Sequence, residues 1–291
     1  MLNEKIRSTI KYIQIQTKRT MQNALAGDYL SAFKGSGLEF NQLREYQIGD
    51  DIRSIDWNSS AKMDKVMIKQ FIEERDRTVL LAVDVSASND YTSGTTMRRH
   101  LAAELSATLA FIAHNNRDKV GLLLFSDRIE EWIPPQKGNL HIGTIAEKLF
   151  THKTYRKKTS IAEALRFLIN LKKRNSVVFM LSDWIDEYES YAKLLKIAGI
   201  EYDFIATRLI DKCEETFPNV GLIDVEDQES GEILSLDSYA LQKNNHNNLL
   251  TARLLEQKKL FAKYKIDILD LRLDMPYLNI LTNFFHQRIK K

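Results

Sequence analysis

The sequence predicts an α/β fold: a mainly parallel sheet flanked by helices, with a smaller N-terminal helix and β element. Three observations carry this. Uninterrupted apolar runs at Val79–Val83, Val120–Phe125 and Val177–Leu181 mark strands buried on both faces, as parallel strands are. Segments with helical periodicity alternate with those runs, which is the pattern of βαβ units. Two of the runs end abruptly in hydroxyls and carboxylates, Asp84-Val85-Ser86-Ala87-Ser88 and Ser182-Asp183. Open α/β sheets present their functional groups at that carboxyl end.

In chain order, residues 1–24 read as a helix, with Ile6, Ile10, Ile13 and Met21 at roughly helical spacing among cations. Gly27-Asp28 is expected to end it, and Tyr29 to Gly37 reads as loop. Between Leu38 and Arg75, Arg44, Asp50, Asp51, Arg53 and Asp56 are positioned to form an ion-pair network. That network serves either to brace the lobe or to dock a partner. Lys65 to Ile72 reads as a strand or extended lead-in to the Val79 strand. A polar loop from Asn89 to Thr96 then precedes a helix with Leu101, Leu105, Leu109 and Ile112 on one face.

After the Val120 strand, Ser126-Asp127-Arg128 is a turn, and Ile129 to Ile133 an antiparallel partner strand ended by Pro134-Pro135. A helix at Leu140–Phe150 leads to a basic loop, Lys153 to Lys158. Thr159-Ser160 then reads as a capped helix start. Further elements are a helix at Leu194–Ala198, a strand at Tyr202–Thr207, a hairpin over 220–236, a helix at Leu249–Tyr264, a strand at Ile266–Leu271 and a closing helix at Tyr277–Ile289. The expected domains are 1–76, the N-terminal element, and 77–291, the sheet domain with its C-terminal hairpin and helix.

Composition narrows the function. The 291 residues are 44% hydrophobic and 28% charged with net charge +3, ordinary for a globular protein and too balanced to argue for nucleic acid. A single cysteine, Cys213, excludes an intramolecular disulfide framework and fits a reducing compartment. No segment approaches the roughly 18–20 apolar residues of a membrane span, and the N-terminus lacks a secretory pattern. The expectation is a cytoplasmic protein without a transmembrane segment. Asp186 reads as a first-turn acid, and the six histidines show no ligand spacing.

The chemistry converges on one edge. If the Val79 and Val177 strands are central in one sheet, Asp84, Ser86, Ser88 and Asp183 meet at its tip, and Thr159 can reach them. Carboxylate and hydroxyl oxygens are hard ligands suited to Mg²⁺ or Mn²⁺. This arrangement resembles the von Willebrand factor A-type fold and its metal-ion-dependent adhesion site, Asp-x-Ser-x-Ser with a distant Thr and Asp. The resemblance implies Asp84, Ser86, Ser88, Thr159 and Asp183 as metal ligands. Lys157-Lys158 replaces the small residues usual before the Thr, which leaves Ser160 as a substitute for Thr159.

A wider resemblance runs through Gly37-Leu38-Glu39-Phe40, Leu43-Arg44-Glu45-Tyr46, Gly49 to Trp57, Glu73-Glu74-Arg75, Val120-Gly121-Leu122 and Ser182-Asp183. It is similar to the bacterial domain of unknown function family 58. That implies a non-catalytic adaptor for a MoxR-type AAA+ ATPase, or for another protein presenting an Asp or Glu to the metal. The alternative is a Mg²⁺-dependent phosphatase or hydrolase at the same edge. Such enzymes typically need a second acid two residues after the first, where this chain has Ser86.

Overall fold

A computed structural model of the chain describes residues 4–20, 26–33, 38–63, 65–73, 77–90, 94, 96–153, 158–173, 176–212, 220–226, 233–237 and 246–290. The chain divides into two compact units, residues 1–33 with 77–291, and residues 34–76. The smaller unit thus spans residues 34–76, and the first 33 residues join the larger one. The reason is packing: Ile13, Tyr29 and Phe33 are buried in the larger unit's core.

In the smaller unit, β1 (Leu38–Glu45) pairs antiparallel with β2 (Met67–Glu73), and helix α3 (Trp57–Met63) lies between them in sequence. Its polar residues close local structure. Arg44 grips Asp50 with two hydrogen bonds of 2.8 and 2.7 Å. Asp51 caps the 3₁₀ turn Ile52–Ser54, and the Asp56 carboxylate accepts from the Asn58 and Ser59 amides at the start of α3. The expected network resolves into one bidentate pair, a loose exposed Arg53–Asp51 pair and two caps. Trp57 is two-thirds exposed.

The larger unit is built on a six-stranded sheet. Its strands are β3 (Thr78–Asp84), β4 (Lys119–Phe125), β5 (Ile129–Gln136), β6 (Val177–Ser182), β7 (Asp203–Ile210) and β10 (Asp267–Arg272), in the spatial order β10-β7-β6-β3-β4-β5. All pairings are parallel except β4 with β5. β3 sits between β6 and β4, and its side chains are buried on both faces of the sheet, as its unbroken apolar run requires. Val79, Leu81 and Val83 point to one layer of core, while Leu80 and Ala82 point to the other.

The first layer is formed by α1 (Glu4–Thr20), α2 (Ala26–Ala32), α4 (Arg98–Asn115), α5 (Asn139–Thr151) and α9 (Tyr277–Ile289). The second contains α6 (Ile161–Asn170), α7 (Tyr188–Glu201) and α8 (His246–Lys263). Buried alanines at 102, 103, 107, 110 and 113 let α4 lie close to its neighbours. A separate hairpin, β8 (Leu222–Glu226) with β9 (Ile233–Asp237), bears out the strands expected over 220–236; its turn lies outside the described residues.

Two local expectations are corrected. The stretch from Tyr29 is not a loop but the second half of α2. Its Tyr29 and Phe33, one helical turn apart, contact Phe285 at ring-centroid distances of 5.7 and 5.5 Å, and Phe33 reaches Phe179 of β6 at 5.9 Å. Aromatic burial overrides the Gly and Ser nearby. The prolines do not end β5, which continues to Gln136. It is the edge strand, so neither Pro134 nor Pro135 needs an amide for a further partner.

Candidate metal centre

The site starts where β3 stops. Asp84 and Ser86 are buried, and the Ser86 amide donates to Asp84 Oδ1 at 2.9 Å, which folds the chain back on the carboxylate. The chain then enters a 3₁₀ turn, Ala87–Asp90, that sets the Ser86 and Ser88 hydroxyls 3.0 Å apart. Asn89 donates from Nδ2 to Ser86 Oγ at 3.3 Å.

Thr159 arrives from the loop before α6 and donates from Oγ1 to Ser86 Oγ at 2.7 Å, across 73 residues of sequence. Ser160 is committed elsewhere: its side chain accepts from the Glu163 amide as the cap of α6, and its amide donates to the Ser126 carbonyl. The two hydroxyls therefore divide the work, Thr159 facing the β3 loop and Ser160 closing the helix. Lys158 is exposed, and Lys157 lies outside the described residues.

Asp183 follows β6. The register that pairs Val83 with Leu181 brings the strand ends level. Ser182 donates to Asp84 Oδ2 at 2.8 Å and lies 3.4 Å from Asp183 Oδ1, so one hydroxyl links both carboxylates. Asp183 Oδ1 accepts the Ile185 amide at 2.9 Å, and Oδ2 lies 3.6 Å from Arg98 Nη1. The next residue, Trp184, has φ 60°, and its buried indole donates to the Thr207 carbonyl at 3.2 Å. Beyond it, Asp186 lies ahead of α7 rather than in its first turn and caps the Ile161 amide of α6 at 2.9 Å. The five predicted site residues are thus brought to one edge.

Burial, and then the neighbouring charge of Asp183, push the Asp84 carboxyl up to about 7. Two buried carboxylates facing one another disfavour ionisation, and a divalent cation between them would relieve it. The donor set suits a hard cation: two carboxylates and three hydroxyls, all oxygen, with no soft ligand. Among the described residues no group of three or more His, Cys, Asp or Glu side chains is placed to hold a metal, so an ion here would depend on the hydroxyls as well as the two carboxylates. Asn89 Oδ1 is a further buried acceptor without a hydrogen-bond partner among the described residues, as a site awaiting a hydrated ion would have. The residues fit Mg²⁺ or Mn²⁺.

Three residues of this edge escaped the sequence reading as site members. Ser182 was visible as a strand-end hydroxyl, and its role comes from the hydrogen bond it donates to Asp84. Asn89 stood in a stretch read as polar loop. Arg98, buried against Asp183, lies at the start of a helix in which only the apolar face was singled out.

The strand order, the two helical layers and this loop cluster at the carboxyl edge define a von Willebrand factor A-like domain. An aerotolerance-related membrane protein from Bacteroides fragilis superposes with a TM-score of 0.50 at 15% identity, covering 74% of this chain and 98% of that one. BatB from Bacteroides thetaiotaomicron matches at TM-score 0.48 and 16% identity, covering 74% and 100%. The SpRpn10 VWA domain matches at 0.42 and 9%, covering 72% and 94%. The chain belongs to the family described as protein of unknown function DUF58, which it matches over residues 42–252. The uncharacterized proteins Rv1480 of Mycobacterium tuberculosis and Mb1516 of Mycobacterium bovis are each 23% identical over 286 residues, covering 98% of this chain and 90% of theirs. No helix among the described residues is long and apolar enough to cross a membrane.

Proposed function

We propose that this protein is a non-catalytic binding module that captures an acidic side chain of a partner protein through a divalent metal, Mg²⁺ or Mn²⁺, at the β3–β6 edge. The observation that carries the reading is the convergence of Asp84, Ser86, Ser88, Thr159 and Asp183 into one hydrogen-bonded cluster from three distant segments. These residues would hold the metal, and when bound it supplies an open Lewis-acid position for an Asp or Glu from outside. Asp84 and Asp183 balance the ion's charge, while Ser86, Ser88 and Thr159 supply neutral oxygens. Ser182 fixes the distance between the carboxylates. A MoxR-type AAA+ ATPase is the partner proposed, with this chain as its adaptor. A hydrolase is disfavoured because a hydroxyl, Ser86, stands where a second acid would be required.

The test is binding of the purified cognate AAA+ ATPase to wild type and Asp84→Ala, each in Mg²⁺ and in chelator. The reading expects retention only by wild type in Mg²⁺. Equal retention in all four samples would move docking to another surface. Metal-dependent turnover of a phosphoester, lost in Asp84→Asn, would restore the enzymatic reading.

A further inference from the structure

A cavity of about 380 Å³ opens between α7 and α8. That volume suits a long side chain or a small ligand. Tyr188, Tyr191 and Leu260 give it an apolar wall, and Asp186, Glu189 and Glu256 bring three carboxylates to it. No lysine, arginine or histidine is among the described residues that line it. Lys258 of α8 is turned away to Asp270. The wall is built before anything enters: Tyr188 and Tyr191 stand edge to face, with centroids 5.7 Å apart. Gln257 donates from Nε2 to the Trp184 carbonyl at 2.9 Å and accepts from Arg208 at 3.0 Å. Asp186 takes the Ile161 and Glu187 amides, which leaves Glu189 and Glu256, from different helices, as the carboxylates open to a ligand.

We infer that this cavity takes the arginine side chain of a partner protein. The choice of a cation follows from the lining: carboxylates grouped around a concave, partly apolar space focus a negative potential there. A guanidinium suits it better than an ammonium. Its plane lies against an aromatic ring, its fork of donors reaches two carboxylates, and it is more weakly hydrated than a lysine head. That the arginine comes from a partner rests on the proposed function. Asp186, on the cavity wall, is three residues beyond Asp183, so its Cα is no more than about 11 Å from that of the proposed ligand. Ile185 between them is 46% exposed. A partner segment whose carboxylate meets the metal edge therefore has its neighbouring residues over this cavity, and an arginine there adds a second point of attachment.

The experiment follows the amide shifts of the ¹⁵N-labelled full chain during titration with N-acetyl-arginine amide, at low salt and with chelator present. N-acetyl-citrulline amide, its neutral isostere, and free arginine are titrated alongside. The arginine amide is expected to shift residues 186–191 and 256–260 with a Kd of about 1 mM, and the citrulline amide to bind about tenfold more weakly. Glu189→Gln with Glu256→Gln, both at exposed positions, is expected to weaken the arginine amide about fivefold. Equal binding of the arginine and citrulline amides, or no shifts at these residues, would overturn the inference. Tighter binding of free arginine than of the capped amide would overturn a partner as the source. Asp84→Ala is expected to bind the arginine amide as wild type does; loss of binding there would place the cation at the metal edge and overturn its assignment to the cavity. Because chelator is present throughout, failure of the proposed metal centre would leave each of these results unchanged.

Discussion

The Ser182 hydroxyl donates to Asp84 Oδ2 at 2.8 Å, joining the ends of β3 and β6 across 98 residues of sequence. The same oxygen accepts the Trp184 amide at 3.1 Å, so it holds the first carboxylate and starts the turn that presents the second. Replacing it strands buried groups on both sides. Ser182→Ala is expected to lower unfolding free energy by about 1–3 kcal/mol. It should also weaken Mn²⁺ binding without abolishing it, because all five proposed ligands remain. Denaturant melts and Mn²⁺ titration check both halves. Unchanged stability would show that the hydroxyl is not buried in this bond.

Trp184 keeps a left-handed backbone, unusual for a bulky residue, because its ring is held. The indole lies 5.1 Å from Phe261, 6.1 Å from Tyr191 and 6.4 Å from Phe204, centroid to centroid. Its carbonyl accepts from Gln257 Nε2 of α8 at 2.9 Å, and Gln257 in turn accepts from Arg208. Trp184→Ala empties a large buried space and is expected to cost about 3–5 kcal/mol. Metal affinity should fall with it, since the turn carrying Asp183 loses its anchor. Retention of wild-type stability would mean that the aromatic cluster does not hold this loop.

The sheet was legible because buried parallel strands advertise themselves: Val79–Val83 and Val177–Leu181 admit few other readings. The five proposed ligands were legible because their spacing repeats a known motif at strand ends. What could not be read was anything decided by register or by the burial of a charged residue. Nothing local marks Arg98 as buried and Arg99 as half-buried; the phase of α4 against β3 decides it. Likewise α2 hides behind Gly27 and a serine, and only the contact of Phe33 with Phe179 shows why those turn-forming residues yield to a helix.

Asp118 gives the larger unit a pH dependence separate from the metal edge. Burial raises its carboxyl to about 6, although the bond it accepts from the Tyr29 hydroxyl, 2.8 Å long, pulls the other way. An unfolded Asp titrates near about 3.9. The folded state thus holds the proton more firmly, so the stabilising contribution is complete below about pH 4 and is lost as pH rises to about 6. Asp118→Asn retains an acceptor for Tyr29 but no titration. Its melting temperature, relative to wild type, should rise across that window and level off above it. Asp84 titrates equally in both proteins and cancels in the comparison. A difference independent of pH would refute the assignment.

Gly199 tests packing against propensity within α7. In an exposed helix, alanine is favoured over glycine by about 1 kcal/mol. Here a Cβ would come 2.9 Å from the Tyr264 carbonyl oxygen and 3.1 Å from Ile266 Cγ1, where α8 turns into β10. The oxygen belongs to the backbone beside Lys265, itself in a left-handed turn at φ 57°, so it has little freedom to retreat. Overpacking of this kind costs about 1–3 kcal/mol, enough to outweigh the propensity gain. Gly199→Ala is therefore expected to be destabilising by up to about 2 kcal/mol in denaturant melts. Metal affinity should be unchanged, because α7's far end bears no ligand. A stabilised variant would mean that α7 and the α8–β10 turn stand further apart than this packing requires.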